Sequence, residues 1–339
     1  MHPILPVSHS PALPLPAWPL PTRHAPAFTR PVFAACATRL AALALMSACA
    51  LPALAQSTAL PAAIPPMSSP VVIADDKPVG VPAAVARAHH LVSKDGKRRY
   101  EIKIAAPSGM APDKGFPVLF ILDGRTALEA LNRAFLNGAP PAKVATVFID
   151  YEADQPDSGG FRAWDYLPGP RAGNAPQPGD EQGGGADDFL QLLDNEVMPL
   201  VKRKIPVDTS RLGLYGHSYS GLFVLHALFT RSDMFQTYIA TSPSIWWQNR
   251  AVVDEAKAYF QQPVVPAGRK LFVLVGGKER RQSRPGTPPP MSPDMPDAQF
   301  FSQQLMGQDA FSTRFRLIPD KNHSEMLPAS IGPAIHFMP

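Results

Sequence analysis

The feature that most constrains the fold of this chain is a serine in a short turn between an apolar run and a helical stretch. Residues 211–215 read Arg-Leu-Gly-Leu-Tyr, residues 216–221 read Gly-His-Ser-Tyr-Ser-Gly, and an apolar stretch follows at 222–228. A strand, a tight turn that carries a serine, and a helix together form a nucleophile elbow, in which crowded backbones require small flanking residues. The sequence therefore predicts that Ser218 lies at the carboxyl end of a strand as a candidate nucleophile.

The turn departs from the usual G-x-S-x-G pattern at its fifth position. Ser220 stands there, and Gly221 follows one place later. Serine is small enough for such a turn, so the elbow remains the favoured interpretation. The alternative is an ordinary strand–helix turn with a surface serine.

Apolar runs alternate with helical patterns along most of the chain, which predicts an α/β fold with a mostly parallel central sheet and helices on both faces. We expect a single domain over 84–339, with irregular excursions at 152–186 and 280–297. The predicted strands cover 98–105, 117–122, 144–149, 211–215, 238–240, 270–275 and 311–318. The predicted helices cover 127–136, 187–204, 222–228, 250–260, 298–308 and 325–337.

The first 55 residues are typical of a secretory leader. Basic residues precede a short apolar run at 40–46, and Ala53-Leu54-Ala55 supplies a small-x-small cleavage site. The apolar run is too short to span a bilayer. Residues 56–83 are rich in Pro, Ala and Ser, which predicts a flexible tether. The sequence thus indicates export to the periplasm, with lipidation at Cys49 as an alternative anchor.

Composition narrows the function classes further. The chain holds 2 cysteines, both in the leader, so the mature protein would have no disulfide, thiol nucleophile or thiolate metal site. Its net charge of +4 becomes about +1 without the three leader arginines, which gives no support for nucleic-acid binding. No metal-ligand or phosphate-loop pattern is present, so no cofactor is predicted. The expected partner is a small-molecule ester, and the oligomeric state stays open.

A serine nucleophile needs a base, and His323 is the candidate because it lies in a polar loop directly after the last predicted strand. The acid should follow the strand that ends near residue 275, which favours Glu279. Asp294, Asp297 and a Ser–His dyad without an acid are alternatives. For the oxyanion hole, the predicted donors are the backbone N–H groups of Tyr219 and Arg125.

Several segments taken together resemble the putative-esterase branch of the α/β hydrolases, and most of all its periplasmic ferric-siderophore esterases of the salmochelin/enterobactin type. These segments are Leu122-Asp123-Gly124, the Gly-Gly-Gly-Ala-Asp run at 183–187, the elbow, and Ser242-Pro243-Ser244. The resemblance covers roughly residues 95–337. It implies hydrolysis of catecholate triesters, with the family's nucleophile at Ser218 and its histidine at His323.

The chain departs from that pattern at Ser220 and at Gly277, where many relatives have Gly and Glu. These departures leave open an esterase for another acyl ester, such as an acylated sugar or a xenobiotic, and a degenerate siderophore-binding protein without chemistry. A basic rim that includes Arg125 and Arg280 would steer an anionic substrate, whose iron would belong to the ligand. Tyr166 and Trp246 are candidate flat walls for its aromatic rings.

Overall fold

The computed structural model describes residues 78–82, 85–155, 158–170, 182–279, 289–292, 295–306, 308 and 311–339. All of them belong to the compact unit Ser68–Pro339. The predicted leader, most of the predicted tether, Cys49, Arg280 and Asp294 lie outside the described residues.

The described residues form an eight-stranded sheet with the order β1-β2-β4-β3-β5-β6-β7-β8. Its strands are β1 Arg87–Val92, β2 Arg99–Ala105, β3 Phe116–Leu122, β4 Ala145–Tyr151, β5 Val207–His217, β6 Thr237–Thr241, β7 Arg269–Gly276 and β8 Phe311–Ile318. β2 runs antiparallel to both of its neighbours, and the pairs from β4 through to β8 are parallel. The α/β-hydrolase prediction is confirmed. β1 was not predicted from the sequence.

The helices also follow the predicted order, with one addition. They are α1 Gly124–Leu136, α2 Ser158–Tyr166, α3 Ala186–Leu192, α4 Met198–Lys204, α5 Tyr219–Thr230, α6 Trp247–Phe260, α7 Asp297–Met306 and α8 Met326–Phe337. A π-helical turn at Leu193–Val197 joins α3 to α4, so the predicted helix at 187–204 is continuous but locally widened. α2 lies within 152–186, which was expected to be irregular.

Helices cover both faces of the sheet. Because side chains alternate along a strand, Leu119 and Ile121 of β3 share one face, where they pack in the core with residues of α1 and α8. Phe120 points to the opposite face, where its ring lies 5.6 Å from that of Phe235. On the helices α2, α3 and α5, Tyr166, Phe189 and Phe223 pack ring against ring at centroid distances of 5.3–5.8 Å.

The parallel strands direct several polar residues to one edge of the sheet. Asp123 follows β3, Ser218 follows β5, Ser242 follows β6 and Glu279 comes shortly after β7. The carboxyl ends of parallel strands meet at the same edge, where open α/β sheets bind their ligands. In the described part of the chain, no helix is both long and apolar enough to cross a membrane.

Candidate active site

Ser218 lies in the sharp turn that the sequence predicts between β5 and α5. Its backbone angles, φ 62° and ψ −113°, fall in a region that L-residues rarely adopt. The amide N–H of Ser218 donates to the Thr241 carbonyl oxygen (3.0 Å), and its carbonyl oxygen accepts the N–H of Leu222 (2.9 Å). At Gly216, a Cβ would lie 2.2 Å from the Ser220 carbonyl oxygen, so only glycine fits. The turn therefore holds the strained serine from both sides.

His323 is the residue that meets this serine. Its Nε2 lies 3.0 Å from Ser218 Oγ. The imidazole stands in a 3₁₀ turn, His323–Glu325, which begins directly after the loop that follows β8. Asn322 caps this turn in a reciprocal pair of hydrogen bonds with Glu325. The post-strand loop thus presents the ring to the elbow in a fixed orientation.

Glu279 continues the chain of contacts on the far side of His323. Its Oε2 lies 3.2 Å from His323 Nδ1, and its Oε1 accepts the N–H of Gly276 at 2.7 Å and the hydroxyl of Ser242. Burial alone would raise the pKa of Glu279, but the hydrogen bonds from His323, Ser242 and Gly276 outweigh it and hold the pKa below its ordinary value. The carboxylate is therefore ionised and oriented at neutral pH.

The other candidate acids do not reach His323 in the described residues. Asp297 pairs with Arg250 at 3.0 Å, and Asp294 lies outside the described residues. Gly277, where relatives have Glu, packs against Pro319 so closely that a Cβ would lie 2.4 Å from its carbonyl oxygen. The departure at residue 277 therefore leaves the contact between Glu279 and His323 intact.

The Ser-Pro-Ser segment, which sequence reasoning used only for resemblance, contacts two of these residues. Ser242 has a positive φ of 45°, and its hydroxyl binds Glu279. Ser244 Oγ lies 3.4 Å from Ser218 Oγ, and the Ser244 N–H donates to the Ser218 carbonyl oxygen at 3.1 Å. The segment thus orients the acid at one end and touches the nucleophile at the other.

The ring of His217, the residue directly before the nucleophile, has a definite partner in the structure. The ring lies against His323 with 4.8 Å between centroids, and Nε2 lies 2.9 Å from the His323 carbonyl oxygen. A carbonyl oxygen only accepts, so Nε2 carries the proton. Burial, and then the neighbouring His323, lower the pKa of His217 to about 4. A neutral imidazole therefore supports the backbone of His323.

The two predicted oxyanion donors have different surroundings. Tyr219 is the first residue of α5, so its amide lies at the positive end of a helix directly beside Ser218. The amide of Arg125 donates instead to Asp150 Oδ2 at 2.8 Å. Burial, with a smaller contribution from the Asp123 charge, raises the pKa of Asp150. Because a carboxylate already engages the Arg125 amide, the second donor of the hole stays unassigned.

The four residues predicted to contact the substrate differ in their exposure and surroundings. Tyr166 is 1% exposed and packs between aromatic rings, so it is a core residue and the interpretation as a substrate wall is wrong. Trp246 is half-buried, 6.2 Å from the Tyr219 ring. Arg125 is exposed, and its guanidinium donates to the Tyr151 carbonyl oxygen at 2.6 Å. Arg280 lies outside the described residues.

Three further residues surround the elbow and were not assigned from the sequence. Arg162 of α2 donates to both carboxylate oxygens of Asp123, at 2.5 and 2.8 Å, and to the His217 carbonyl oxygen at 3.1 Å. Ser220 Oγ accepts the His217 N–H at 2.7 Å and donates to Asp123 Oδ2 at 2.6 Å. The unusual serine in the elbow is thus a hydrogen-bonding residue as well as a small one, a role that only the position of Asp123 reveals.

The glycine run at 183–185 packs closely against the end of α2, directly before α3. The amides of Gly184 and Gly185 donate to the carbonyl oxygens of Leu167 and Trp164, both at 2.9 Å. A Cβ on Gly185 would lie 2.2 Å from Trp164 Nε1. The run is therefore a close-packing surface for the end of α2.

Taken together, a hydroxyl, an imidazole and a carboxylate stand in hydrogen-bonding sequence at the carboxyl edge of the sheet. This arrangement can transfer a proton from the hydroxyl to the imidazole and so generate a nucleophile. Among the residues that the structure describes, no group of three or more His, Cys, Asp or Glu side chains could hold a metal ion.

Comparison with known proteins shows similarity to esterases. A family model described as putative esterase matches residues 93–282, which is more than half of the chain. A siderophore enterobactin esterase of Emericella nidulans is 36% identical over 184 residues, which make up 49% of this chain and 59% of the relative. An apo-salmochelin esterase of Escherichia coli is 31% identical over 199 residues, 57% of this chain and 61% of the relative. The aligned part thus spans about three fifths of each of these relatives.

A solved structure is similar over a larger share of both chains. The enterobactin hydrolase IroE in complex with DFP has a TM-score of 0.58 and 27% identity, and the alignment covers 74% of this chain and 93% of that chain. DFP is a phosphorylating reagent for serine nucleophiles, which places that structure among the serine hydrolases.

Proposed function

Because the chain belongs to the putative esterase family, we propose that it is a serine esterase that hydrolyses carboxylic ester bonds of siderophores through an acyl-enzyme. The observation that carries this proposal is the unbroken series of contacts from Ser218 Oγ to His323 and from His323 to Glu279. Each contact joins atoms of the type that the serine-hydrolase mechanism requires, in the order Ser…acid…His along the chain.

Acylation begins when Ser218 Oγ attacks the ester carbonyl carbon and its proton passes to His323 Nε2. Glu279 holds the proton on Nδ1 of the same ring and stabilises the imidazolium that forms. The Tyr219 N–H stabilises the tetrahedral oxyanion. When that intermediate collapses, the alcohol leaves with the proton from His323, and the acyl group stays on Ser218.

Deacylation repeats these steps with water. His323 takes a proton from the water as its oxygen attacks the acyl carbon, and the acid product leaves as Ser218 recovers its proton. His217 supports this cycle because it is neutral. A second positive charge against the His323 imidazolium would oppose proton transfer, and the lowered pKa of His217, about 4, prevents that charge at neutral pH.

The substrate class is proposed from the relatives, whose names include an enterobactin esterase and an apo-salmochelin esterase. We therefore favour catecholate siderophore esters over acylated sugars or xenobiotics. The alternative of a binding protein without chemistry was motivated by Ser220 and Gly277. Both residues are compatible with an intact contact series, which favours an enzyme.

The proposed location is the periplasm, and its support is the leader pattern at 1–55 with the cleavage site at Ala53-Leu54-Ala55. Anchoring through Cys49 remains an alternative form of the same export. Cell fractionation of the full-length protein and of a Cys49→Ala variant, followed by mass measurement of the mature amino terminus, distinguishes the two.

The activity is tested by product analysis after incubation with enterobactin, a linear catecholate ester, an acetyl ester and a feruloyl ester. We expect catecholate acids to be released fastest, and Ser218→Ala to lower kcat by at least about 10⁴-fold without changing the fold. A fluorophosphonate probe should label the wild type at Ser218 and leave the variant unlabelled. Unchanged turnover in the variant would remove Ser218 from the mechanism, and faster release from the acetyl or feruloyl ester would overturn the substrate class.

A further inference from the structure

The Ser-Pro-Ser segment after β6 places a second hydroxyl beside the nucleophile. Ser244 Oγ lies 3.4 Å from Ser218 Oγ, on a residue that is only 4% exposed. The contacts of the triad from Ser218 to Glu279 do not include this hydroxyl. A group that touches the reacting oxygen and is shielded from bulk water is a candidate for a part in the chemistry itself.

The backbone holds Ser244 in this position from both sides. Its N–H donates to the Ser218 carbonyl oxygen at 3.1 Å, and its own carbonyl oxygen accepts the N–H of Trp247 at 3.1 Å. The segment also packs against the elbow so closely that a Cβ on Gly221 would lie 3.2 Å from Pro243 Cα. The distance between the two hydroxyls is therefore set by backbone contacts between the elbow and the turn after β6.

The direction of the contact follows from the position of the Ser218 proton. A serine hydroxyl has one proton to donate and two lone pairs that accept. Ser218 directs its proton to His323 Nε2, which lies 3.0 Å away and acts as the base. Ser218 Oγ then has only lone pairs to offer to a second hydroxyl, so Ser244 is the donor and Ser218 Oγ is the acceptor.

The length of this contact suits a role in a transition state. An O–H···O hydrogen bond is usually about 2.5–3.0 Å long, so the bond at 3.4 Å is weak in the resting enzyme. Hydrogen bonds to ionised acceptors are shorter and about twice as strong as those between neutral groups. The contact therefore strengthens when charge develops on Ser218 Oγ. Only interactions that are stronger in the transition state than in the ground state accelerate a reaction.

The two halves of the reaction place different demands on Ser218 Oγ. In acylation this oxygen is the nucleophile, so a donor eases the loss of its proton but also lowers its nucleophilicity, and the two effects oppose each other. In deacylation it is the leaving group. The bond between the acyl carbon and Oγ breaks, the electron pair stays on Oγ, and the proton of the His323 imidazolium follows. A donor to Oγ assists this departure without an opposing effect.

We propose that Ser244 is a further catalytic residue, whose hydroxyl donates to Ser218 Oγ and stabilises that oxygen as it leaves the acyl carbon in deacylation. Ser244 keeps its own proton throughout. Water supplies the new oxygen of the acid product, and Ser218 recovers its proton from His323. The proposal rests on the proposed function and adds to it a group that acts mainly in one half of the reaction.

Two other roles for Ser244 make different predictions. As a structural residue, it would only stabilise the turn after β6, and its loss would slow both halves of the reaction by the same factor. As a second nucleophile, it would carry the acyl group itself. Ser302→Ala is the matched control, because it removes a fully buried hydroxyl whose hydrogen bond, to the Gln299 carbonyl oxygen at 2.8 Å, stays within α7.

The experiment follows both halves of the reaction with one reagent, p-nitrophenyl N-methylcarbamate. Release of p-nitrophenol gives the rate of acylation, and the carbamoyl-enzyme, which hydrolyses slowly, is isolated by gel filtration. Loss of the carbamoyl mass and recovery of esterase activity then give the rate of deacylation. Wild type, Ser244→Ala, Ser244→Cys and Ser302→Ala are compared, with the melting temperature as a control for folding and peptide mapping to locate the carbamoyl group.

We expect deacylation of Ser244→Ala to be about tenfold slower than that of wild type, with acylation within about threefold. Loss of a full oxyanion-hole donor lowers rates by about 10²–10³-fold, and Ser218 Oγ carries less charge than the oxyanion. Ser244→Cys should have an intermediate rate of deacylation, since a thiol is a weak donor. Ser302→Ala should keep both rates within about twofold, and the carbamoyl group should lie on Ser218 throughout.

The proposal is overturned if folded Ser244→Ala deacylates within about threefold of wild type, if its acylation and deacylation slow by the same factor, or if wild type carries the carbamoyl group on Ser244. An equal loss in Ser302→Ala also overturns it. If Ser244→Ala does not fold, the test passes to Ser244→Cys, and deacylation equal to that of wild type overturns the proposal.

Failure of the proposal and failure of the proposed function are distinguishable. A wild type that neither hydrolyses esters nor is carbamoylated at Ser218 overturns the proposed function, and the role of Ser244 with it. A carbamoylated, active wild type whose Ser244 variants deacylate at the normal rate overturns the role of Ser244 alone.

Discussion

Replacement of Glu279 by glutamine should be more harmful than its complete truncation. The Glu279 oxygen Oε1 accepts the N–H of Gly276, which can only donate. In Glu279→Gln the amide oxygen must therefore keep that position, and the NH₂ group must face His323 Nδ1. Nδ1 would then accept a proton rather than carry one, so Nε2 would be protonated and unable to receive the proton of Ser218. In Glu279→Ala, water can replace the lost carboxylate.

The magnitudes follow from the geometry of the contact between Glu279 and His323. A hydrogen bond to a charged group contributes about 1.5–3 kcal/mol, which corresponds to about 10- to 150-fold in rate. The His323 side chain is 42% exposed, so water partly compensates and Glu279→Ala should lie near the lower end. In the Ser-His-Asp template, the wrong tautomer lowers kcat by about 10⁴-fold. We expect Glu279→Gln to be at least about tenfold slower than Glu279→Ala.

The assay is kcat on a short p-nitrophenyl ester, with circular dichroism and melting temperature as controls for folding. Asp297→Asn is the comparison variant, because Asp297 is the other described acid that the sequence nominated. If Glu279→Gln is faster than Glu279→Ala, the tautomer argument is wrong. If both stay within threefold of wild type, the enzyme works as a Ser–His dyad. A larger loss in Asp297→Asn would transfer the role of the acid.

Two further predictions concern stability. The buried His226 lies between the carboxylates of Asp187 and Glu255. Burial opposes its charge, but the hydrogen bonds that its ring donates to these carboxylates raise its pKa from 6.5 to about 9. The charged His226 therefore contributes about 3 kcal/mol to the free energy of unfolding below pH 6.5, and this contribution is lost as the pH rises through 9. The difference in unfolding free energy between wild type and His226→Gln should shrink over that range. A constant difference would refute the prediction. Gly185→Ala should destabilise the protein by about 1–3 kcal/mol, because the new Cβ would lie 2.2 Å from Trp164 Nε1. Gly159→Ala in α2 is the control, since its Cβ would have open space, and it should be neutral or slightly stabilising in the same denaturant titration. Equal effects of the two changes would contradict the steric argument.

The predictable parts of the fold are the elements whose burial is evident from the pattern of apolar residues within the element itself. β3 and β7 are continuous apolar runs because helices cover both faces, and their bounds were anticipated closely. β1 was missed because it is an edge strand whose exposed side chains carry no alternating pattern. α2 was missed because Pro and Gly surround its nine residues and obscure a short helix.

Within the site, the contacts that follow from the order of the strands were predictable. The contacts that depend on the direction in which a side chain points were not. Ser218 and His323 each follow a strand of the parallel sheet, so their meeting at one edge could be expected from topology. Nothing in the spacing of Arg162 or Ser220 indicates that both face Asp123, since the three belong to different elements. Tyr166 illustrates the converse, because an aromatic residue in a polar excursion gives no sign of which side is buried.

The close packing of α2 on the glycine run has a consequence for protein engineering. The hydrogen bonds of Gly184 to Leu167 and of Gly185 to Trp164 bring together the two ends of the intervening stretch 168–183. When both ends of a connection are fixed in this way, a change in its length alters the closure entropy only logarithmically. By this entropy argument, a change in the length of the connection should cost little stability, which makes it a place to insert or remove residues.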